Sequence, residues 1–407
     1  MQIAGTGVVT VETRGQEGSD PSIPPTPRTS RVSALDGVRA CAAVGVLVFH
    51  CASGEGFLSN LPGSMAVVVS LAETFGNFCV AVFFMLSGYL LFREFVRKLL
   101  FDQARTRLPH YFERRFLRIY PAYWVATIGW ILVIGAPRVA GDAFGILTLT
   151  ERQLVPRPLF LGLSVTWTLY VEVAFYVFVP LFSGLVWLGC RKRSTNVRLA
   201  VVLGSLLGLV VVAHLWIGVV SASAPLDFRL RMNLPPFLGW FALGMALCVA
   251  SVWRGAGRRL PGALVQMANR PWFCLSISAL AWVTIAIIET DFFARGVVRG
   301  ESTTEFQARI FLQGIAAFFA LLPFVLGDRP SRLRSVIGHP RLAWVGVVSF
   351  GVYLWHPIII QMVAESLPMQ TEFVGFLLLV AIVLPASIVA GWVSFRVIEK
   401  PALSLAR

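Results

Sequence analysis

The sequence predicts an all-α fold: a polytopic integral membrane bundle of about ten transmembrane helices with both termini in the cytoplasm. Three observations lead there. Hydrophobic residues make up 57% of the 407 and charged residues only 14%, with a mean hydropathy of +0.74, whereas a soluble domain is about 45–50% apolar and about 25% charged. Ten stretches are apolar over close to the roughly 20 residues that a helix needs to cross a bilayer core. Lys and Arg also alternate between the connections, 27 of 35 falling on one side, the side that positive loops assign to the cytoplasm.

The ten stretches are 36–53, 76–93, 119–136, 166–189, 198–220, 234–253, 271–289, 307–327, 341–364 and 373–396. Residues 1–31 hold Gly, Ser, Thr and Pro without an apolar run, so they lack a signal-peptide core and read as a disordered cytoplasmic tail. Residues 32–407 then form one transmembrane domain. Segments 54–75, 93–118 and 137–165 are its long connections, and loops of that length are often functional. Gly204 and Gly208 in the fifth stretch form a G-x-x-x-G, which predicts a close helix-packing face.

A formal charge of +14 would suit nucleic acid, but the positives sit in loops between spans, so a nucleic-acid partner is excluded in favour of the lipid bilayer. The six cysteines lie in or beside apolar segments with no C-x-x-C pair. They read as small buried side chains and give no metal site or disulfide framework.

Ionisable groups inside spans are costly and usually face a bundle interior, which makes each a functional candidate. They are Arg39, His50, Glu172, His214 and His356, with Asp36 at an inner edge. At about 1.5 Å of rise per residue, His50 lies roughly 16 Å beyond Arg39, Glu172 roughly 10 Å below the outer surface and His356 roughly 22 Å beyond Arg341. All three fall in the outer half of the bilayer. A carboxylate beside a buried imidazole holds one ring N–H and favours the imidazolium, so Glu172 is the expected partner of His50. His214 has no polar neighbours in its helix and reads as structural. At the inner mouth of the third span, Arg115 and Arg118 share a helix face, and guanidinium forks suit phosphate oxygens, although such positives also serve simply as topology signals.

Six motifs in order resemble the membrane acyltransferase-3 family. Arg39 with His50 is similar to its Arg-x10-His, within Leu35-Asp36-Gly37-Val38-Arg39. Phe83-Phe84-Met85-Leu86-Ser87-Gly88 resembles F-F-x-x-S-G, and Arg115-Phe116-Leu117-Arg118-Ile119-Tyr120-Pro121 resembles R-x-x-R-I-Y-P. Trp167-Thr168-Leu169 with Glu172, Phe175 and Tyr176 resembles W-S-L-x-x-E-x-x-F-Y, with Thr168 in place of the usual Ser. Ser349 to His356 resembles S-Y-G-I-Y-L-W-H, with Phe350 for Tyr and Pro357 directly after the histidine; Glu399-Lys400-Pro401 fits the family ending.

The resemblance implies an integral membrane O-acyltransferase of the inner (plasma) membrane. It would move an acyl group, acetyl being favoured, from cytosolic acyl-CoA to a hydroxyl of a carbohydrate, glycolipid or glycosylated metabolite, without a metal. The chain ends at Arg407, so the SGNH-type esterase domain fused to some relatives is expected to be absent. His50 maps to the family's essential histidine, acting as base with Glu172 or as an acyl-histidine relay. Arg39, Arg115 and Arg118 map to donor-binding positions. Ser87, Trp167, Tyr353 and His356 are expected at the substrate pocket, Ser87 by close packing or a helix hydrogen bond more than as a nucleophile. The tryptophans and tyrosines, Tyr176 and Trp355 included, could equally be interface aromatics. The competing reading is a proton-coupled transporter or flippase of an envelope glycolipid, which an interior His and Glu would also fit.

Overall fold

The computed structural model describes residues 27–53, 58, 61–103, 106–134, 143–150, 165–223, 228–295, 302–366 and 372–406. Ten long helices carry it: α1 (Pro27–Ala52), α2 (Ala66–Phe101), α3 (Leu108–Ile134), α4 (Thr166–Cys190), α5 (Thr195–Ser223), α6 (Leu234–Gly255), α7 (Pro271–Arg295), α8 (Thr303–Leu326), α9 (Pro340–Ala364) and α10 (Phe373–Ser394). Each is long and apolar enough to span a membrane, and no strand occurs among the described residues.

Every predicted span falls on one of these helices, but several helices are longer than their apolar core. At 36 residues, α2 is about 54 Å long, well beyond the hydrocarbon thickness of about 30 Å. It absorbs residues 66–75 and 93–101, which were expected in connections. In 93–101 charged residues end the apolar run without ending the helix, since Arg, Lys and Glu are good helix formers. The helix stops at Asp102, whose φ of 56° is left-handed. The Asp102 N–H then returns to the Lys98 carbonyl and the Gln103 N–H to that of Arg97, the first of these being the bond of an αL stop. At the other surface, Ser302 and Glu305 form a capping box that starts α8, several residues ahead of the apolar stretch. The predicted tail, 1–31, lies outside the described residues up to 26, and 27–31 belong to α1.

The most enclosed helices are α2 and α6, whereas α3, α5, α7 and α10 turn most of their residues outward. Glycine sets the tightest approaches. A Cβ on Gly88 would run into the Phe241 backbone, and one on Gly244 into the Met85 carbonyl, so α2 and α6 touch main chain to main chain. The Gly37 and Gly346 positions bring α1 against Ile337 and α9 against Asp36, and Gly351 meets Gly391 of α10. The predicted face at Gly204 and Gly208 is different: nothing lies within 4 Å of a Cβ at either. That stripe points away from the bundle, so spacing alone misidentified the packing face.

After α10 the chain passes through one π-helical turn, Phe395–Glu399, into the short helix Lys400–Leu405. The buried Glu399 carboxylate accepts from Ser394 Oγ at 3.3 Å. Such π-turns re-aim side chains without ending a helix.

Candidate active site

A cavity of about 370 Å³ runs between α1, α2, α3, α4 and α9. Its basic end is lined by Arg39, Arg115 and Arg118. Arg39 Nη1 pairs with Asp36 Oδ1 at 2.9 Å, and Arg115 Nη2 with Glu94 Oε1 at 2.5 Å. Arg115 also lies over the Tyr111 and Tyr176 rings, 5.4 and 5.9 Å from their centroids. Its buried Nε has no hydrogen-bond partner among the described residues. Arg39 and Arg118 are close enough to feel each other's charge. Two or three guanidiniums crowded at one mouth favour an anionic visitor.

The middle of the cavity is a polar belt. Glu172 Oε1 accepts from Ser87 Oγ at 3.0 Å and from Tyr176 OH at 2.9 Å. The first bond ties α2 to α4, and the second lies within α4, where Tyr176 is one turn along the helix from Glu172. Apolar side chains of Val80, Phe83, Phe84 and Phe350 fill the walls beyond.

The far end closes on α9. Tyr353 OH donates to the Val165 carbonyl at 2.9 Å and contacts the Thr168 hydroxyl, which itself donates to Val165 O at 3.0 Å. The Tyr353 ring lies 5.8 Å from that of His356. His356 in turn meets His50: Nε2 to Nδ1 is 3.1 Å, with ring centroids 5.1 Å apart. His356 Nδ1 is 3.2 Å from the Val352 carbonyl. A carbonyl only accepts, so Nδ1 of His356 carries the hydrogen and its Nε2 presents the lone pair. With both rings neutral, His50 Nδ1–H donates across the pair and His50 Nε2 is left basic. Sequence and fold thus fix a tautomer through a backbone carbonyl and a second imidazole.

Several expectations are corrected. The partner of His50 is His356, and no hydrogen bond joins His50 to Glu172 among the described residues; Glu172 serves the belt instead. His50 and His356 do not line the cavity, which ends at the Tyr353 ring beside them. Trp167 is turned away into an aromatic core, 5.5 Å from Phe237 and 6.2 Å from Phe84, while its neighbour Thr168, about 100° round the helix, faces the cavity. Arg39, Ser87, Arg115, Arg118, Glu172, Tyr176 and Tyr353 do line it. His214 Nδ1 folds back on the Val210 carbonyl at 2.9 Å and its ring packs on Phe311, as expected for a structural histidine. Among the described residues no group of three or more His, Cys, Asp or Glu could hold a metal ion.

Two features escaped the sequence. Glu94, which holds Arg115, had no visible link to it across 21 residues. A second buried polar cluster joins α2, α7 and α8: Arg309 Nε is 3.4 Å from Glu289 Oε1, Gln313 Nε2 donates to the Thr74 carbonyl at 3.5 Å and Trp282 Nε1 to Thr74 Oγ1 at 3.1 Å. Glu289 at the very end of one apolar stretch and Arg309 just inside another were the signals that could have found it.

Comparison with known proteins accords with this arrangement. The family model described as an acyltransferase domain matches residues 32–395. The chain is 26% identical over 395 residues to the peptidoglycan O-acetyltransferase OatA of Listeria monocytogenes serovar 1/2a (strain ATCC BAA-679 / EGD-e), covering 91% of this chain and 55% of the relative. It is 25% identical over 399 residues to YrhL of Bacillus subtilis (strain 168), provisionally named a peptidoglycan O-acetyltransferase, with 91% and 54% covered. The chain therefore spans about half the length of the curated relatives it matches. No solved structure matches it. Ten spans, the ordered motifs and a family match over most of the length agree, and the chain belongs to the acyltransferase-3 family.

Proposed function

We propose that the protein is an integral membrane O-acyltransferase that moves an acyl group, acetyl being favoured, from cytosolic acyl-CoA to a hydroxyl of a carbohydrate or glycolipid acceptor. The observation that carries this reading is the cavity itself, basic at one end and ending beside a hydrogen-bonded histidine pair at the other. The positive-inside count supports a basic end toward the cytoplasm, both termini there and the histidines toward the outer face of the plasma membrane. The OatA and YrhL names, both peptidoglycan O-acetyltransferases, support a sugar hydroxyl as acceptor.

In this reading Arg39, Arg115 and Arg118 bind the phosphates of the donor, as guanidinium forks do. The pantetheine arm lies along the Ser87–Glu172–Tyr176 belt, whose hydroxyls and carboxylate match its amides. The acceptor O–H gives its proton to His50 Nε2 as its oxygen attacks the thioester carbonyl. The C–S bond then breaks, and the CoA thiolate takes that proton back from the imidazolium. His356 acts as a positioning residue, because its bond to His50 Nδ1–H becomes charge-assisted when His50 is protonated.

The test is transfer of label from [14C]acetyl-CoA by the purified full chain in lipid nanodiscs, with CoA release measured in parallel. His50→Ala should remove at least about a hundredfold, the ordinary share of a general base, with the protein still folded by gel filtration. Full activity in that variant would remove His50 from the chemistry. Flux of a glycolipid in proteoliposomes with no CoA chemistry at all would return the protein to the carriers.

A further inference from the structure

Among the described residues the cavity and the histidine pair are neighbours, and neither histidine is in the cavity lining. Tyr353 lines the cavity, and its ring lies 5.8 Å from His356. The ring is held there by its hydroxyl, which reaches the first turn of α4 at the Val165 carbonyl and the Thr168 hydroxyl. Phe83 braces the same ring edge-on, with centroids 6.3 Å apart. The two hydroxyl oxygens and the Val165 carbonyl oxygen thus form a small latch between two helices, sharing two hydroxyl protons.

We propose that Tyr353 is a positioning residue that gates the donor: while latched to Thr168 and Val165 it keeps the thioester apart from His50, and it swings aside when an acceptor occupies the site. This inference rests on the acyl-transfer reading above and adds what that reading lacks, a barrier between a high-energy thioester and water. Without the barrier, water reaching the outer half would replace the sugar. Its O–H proton would pass to His50 Nε2, its oxygen would bond the acyl carbon, the C–S bond would break, and the thiolate would recover the proton, releasing acetate and CoA unproductively. An enzyme whose acceptor arrives from one side and donor from the other needs such separation to avoid hydrolysis.

The experiment measures partition. Acetyl-CoA is supplied to the purified full chain in nanodiscs, and CoA release is compared with acetyl recovered on a carbohydrate acceptor, with and without that acceptor. Tyr353→Phe keeps the ring and removes its tie. Acceptor-independent CoA release should rise about three- to tenfold, the shift that losing one hydrogen bond of ordinary net strength gives a two-state equilibrium, and the acetyl recovered per CoA should fall. Thr168→Val, nearly isosteric, should move both in the same direction by less, since Val165 O still holds Tyr353; it carries the test if Tyr353→Phe does not fold. His50→Ala placed in either background should abolish the leak. Unchanged partition in both variants of a transfer-competent protein would overturn the gate and leave the acyltransferase reading intact. Absence of any His50-dependent CoA release from the unmutated protein would overturn both.

Discussion

Replacing His356 separates the two imidazoles with the least disturbance, because its ring touches His50 and the Val352 carbonyl and lies outside the cavity. Before transfer, the 3.1 Å bond joins two neutral rings, worth about 1 kcal/mol net. In the transition state His50 bears charge, and a bond to a charged group is worth about 1.5–3 kcal/mol. The difference, about 0.5–2 kcal/mol, is the part that accelerates the reaction, and at about 1.4 kcal/mol per decade it equals a factor of about 2–30. His356→Leu should therefore lower kcat by that factor and leave the KM for acetyl-CoA unchanged. His356→Gln, which can present an amide oxygen to His50 Nδ1–H, should recover most of the loss. Initial rates of acetyl transfer across a donor series separate kcat from KM. A loss below twofold in His356→Leu, or equal losses in Leu and Gln, would refute the argument that the second ring works by accepting this hydrogen bond.

Other outcomes follow from the same geometry. Arg115→Gln with Arg118→Gln should raise the KM for acetyl-CoA and flatten its dependence on salt, with the acceptor KM unmoved, since charge–phosphate attraction is screened by ions; equal effects on both substrates would return these residues to topology signals. Gly88→Ala should cost about 2 kcal/mol through a Cβ forced against the Phe241 backbone, read as a lower Tm in detergent, whereas Gly204→Ala, with nothing within 4 Å, should leave Tm unchanged. Fluorescent-protein fusions at either terminus should glow, because the proposed orientation keeps both in the cytoplasm, where such reporters fold.

Depth along a helix is legible in a sequence and rotation about it is not. The apolar runs locate all ten helices because lipid imposes one length on each, and counting residues places His50, Glu172 and His356 at comparable heights. Which of these touch depends on helix phase, set by contacts such as Gly346 on Asp36 and Gly351 on Gly391, and no periodicity in an almost wholly apolar helix reveals it. Thus a His–Glu pair was expected where a His–His pair stands. Adjacent Trp167 and Thr168 illustrate the same point, since one faces an aromatic core and the other the cavity. The charged extension at the end of α2 was hidden for a different reason: hydropathy finds where the membrane ends, while helix propensity and the turn at Asp102 decide where the helix ends.

The bare backbone contacts determine which part of the molecule can give way. At Gly88 and Gly244 no side chain separates α2 from α6, and α9 is pinned likewise to α1 and α10, so sliding any of these past its neighbour would break several dense contacts at once. α4 has no such seam: it rests on its neighbours through larger side chains, with Tyr353 fastening its first turn. A stiff cage around a more compliant stave is the mechanical outcome, and the compliance sits at the Tyr353 end of the passage.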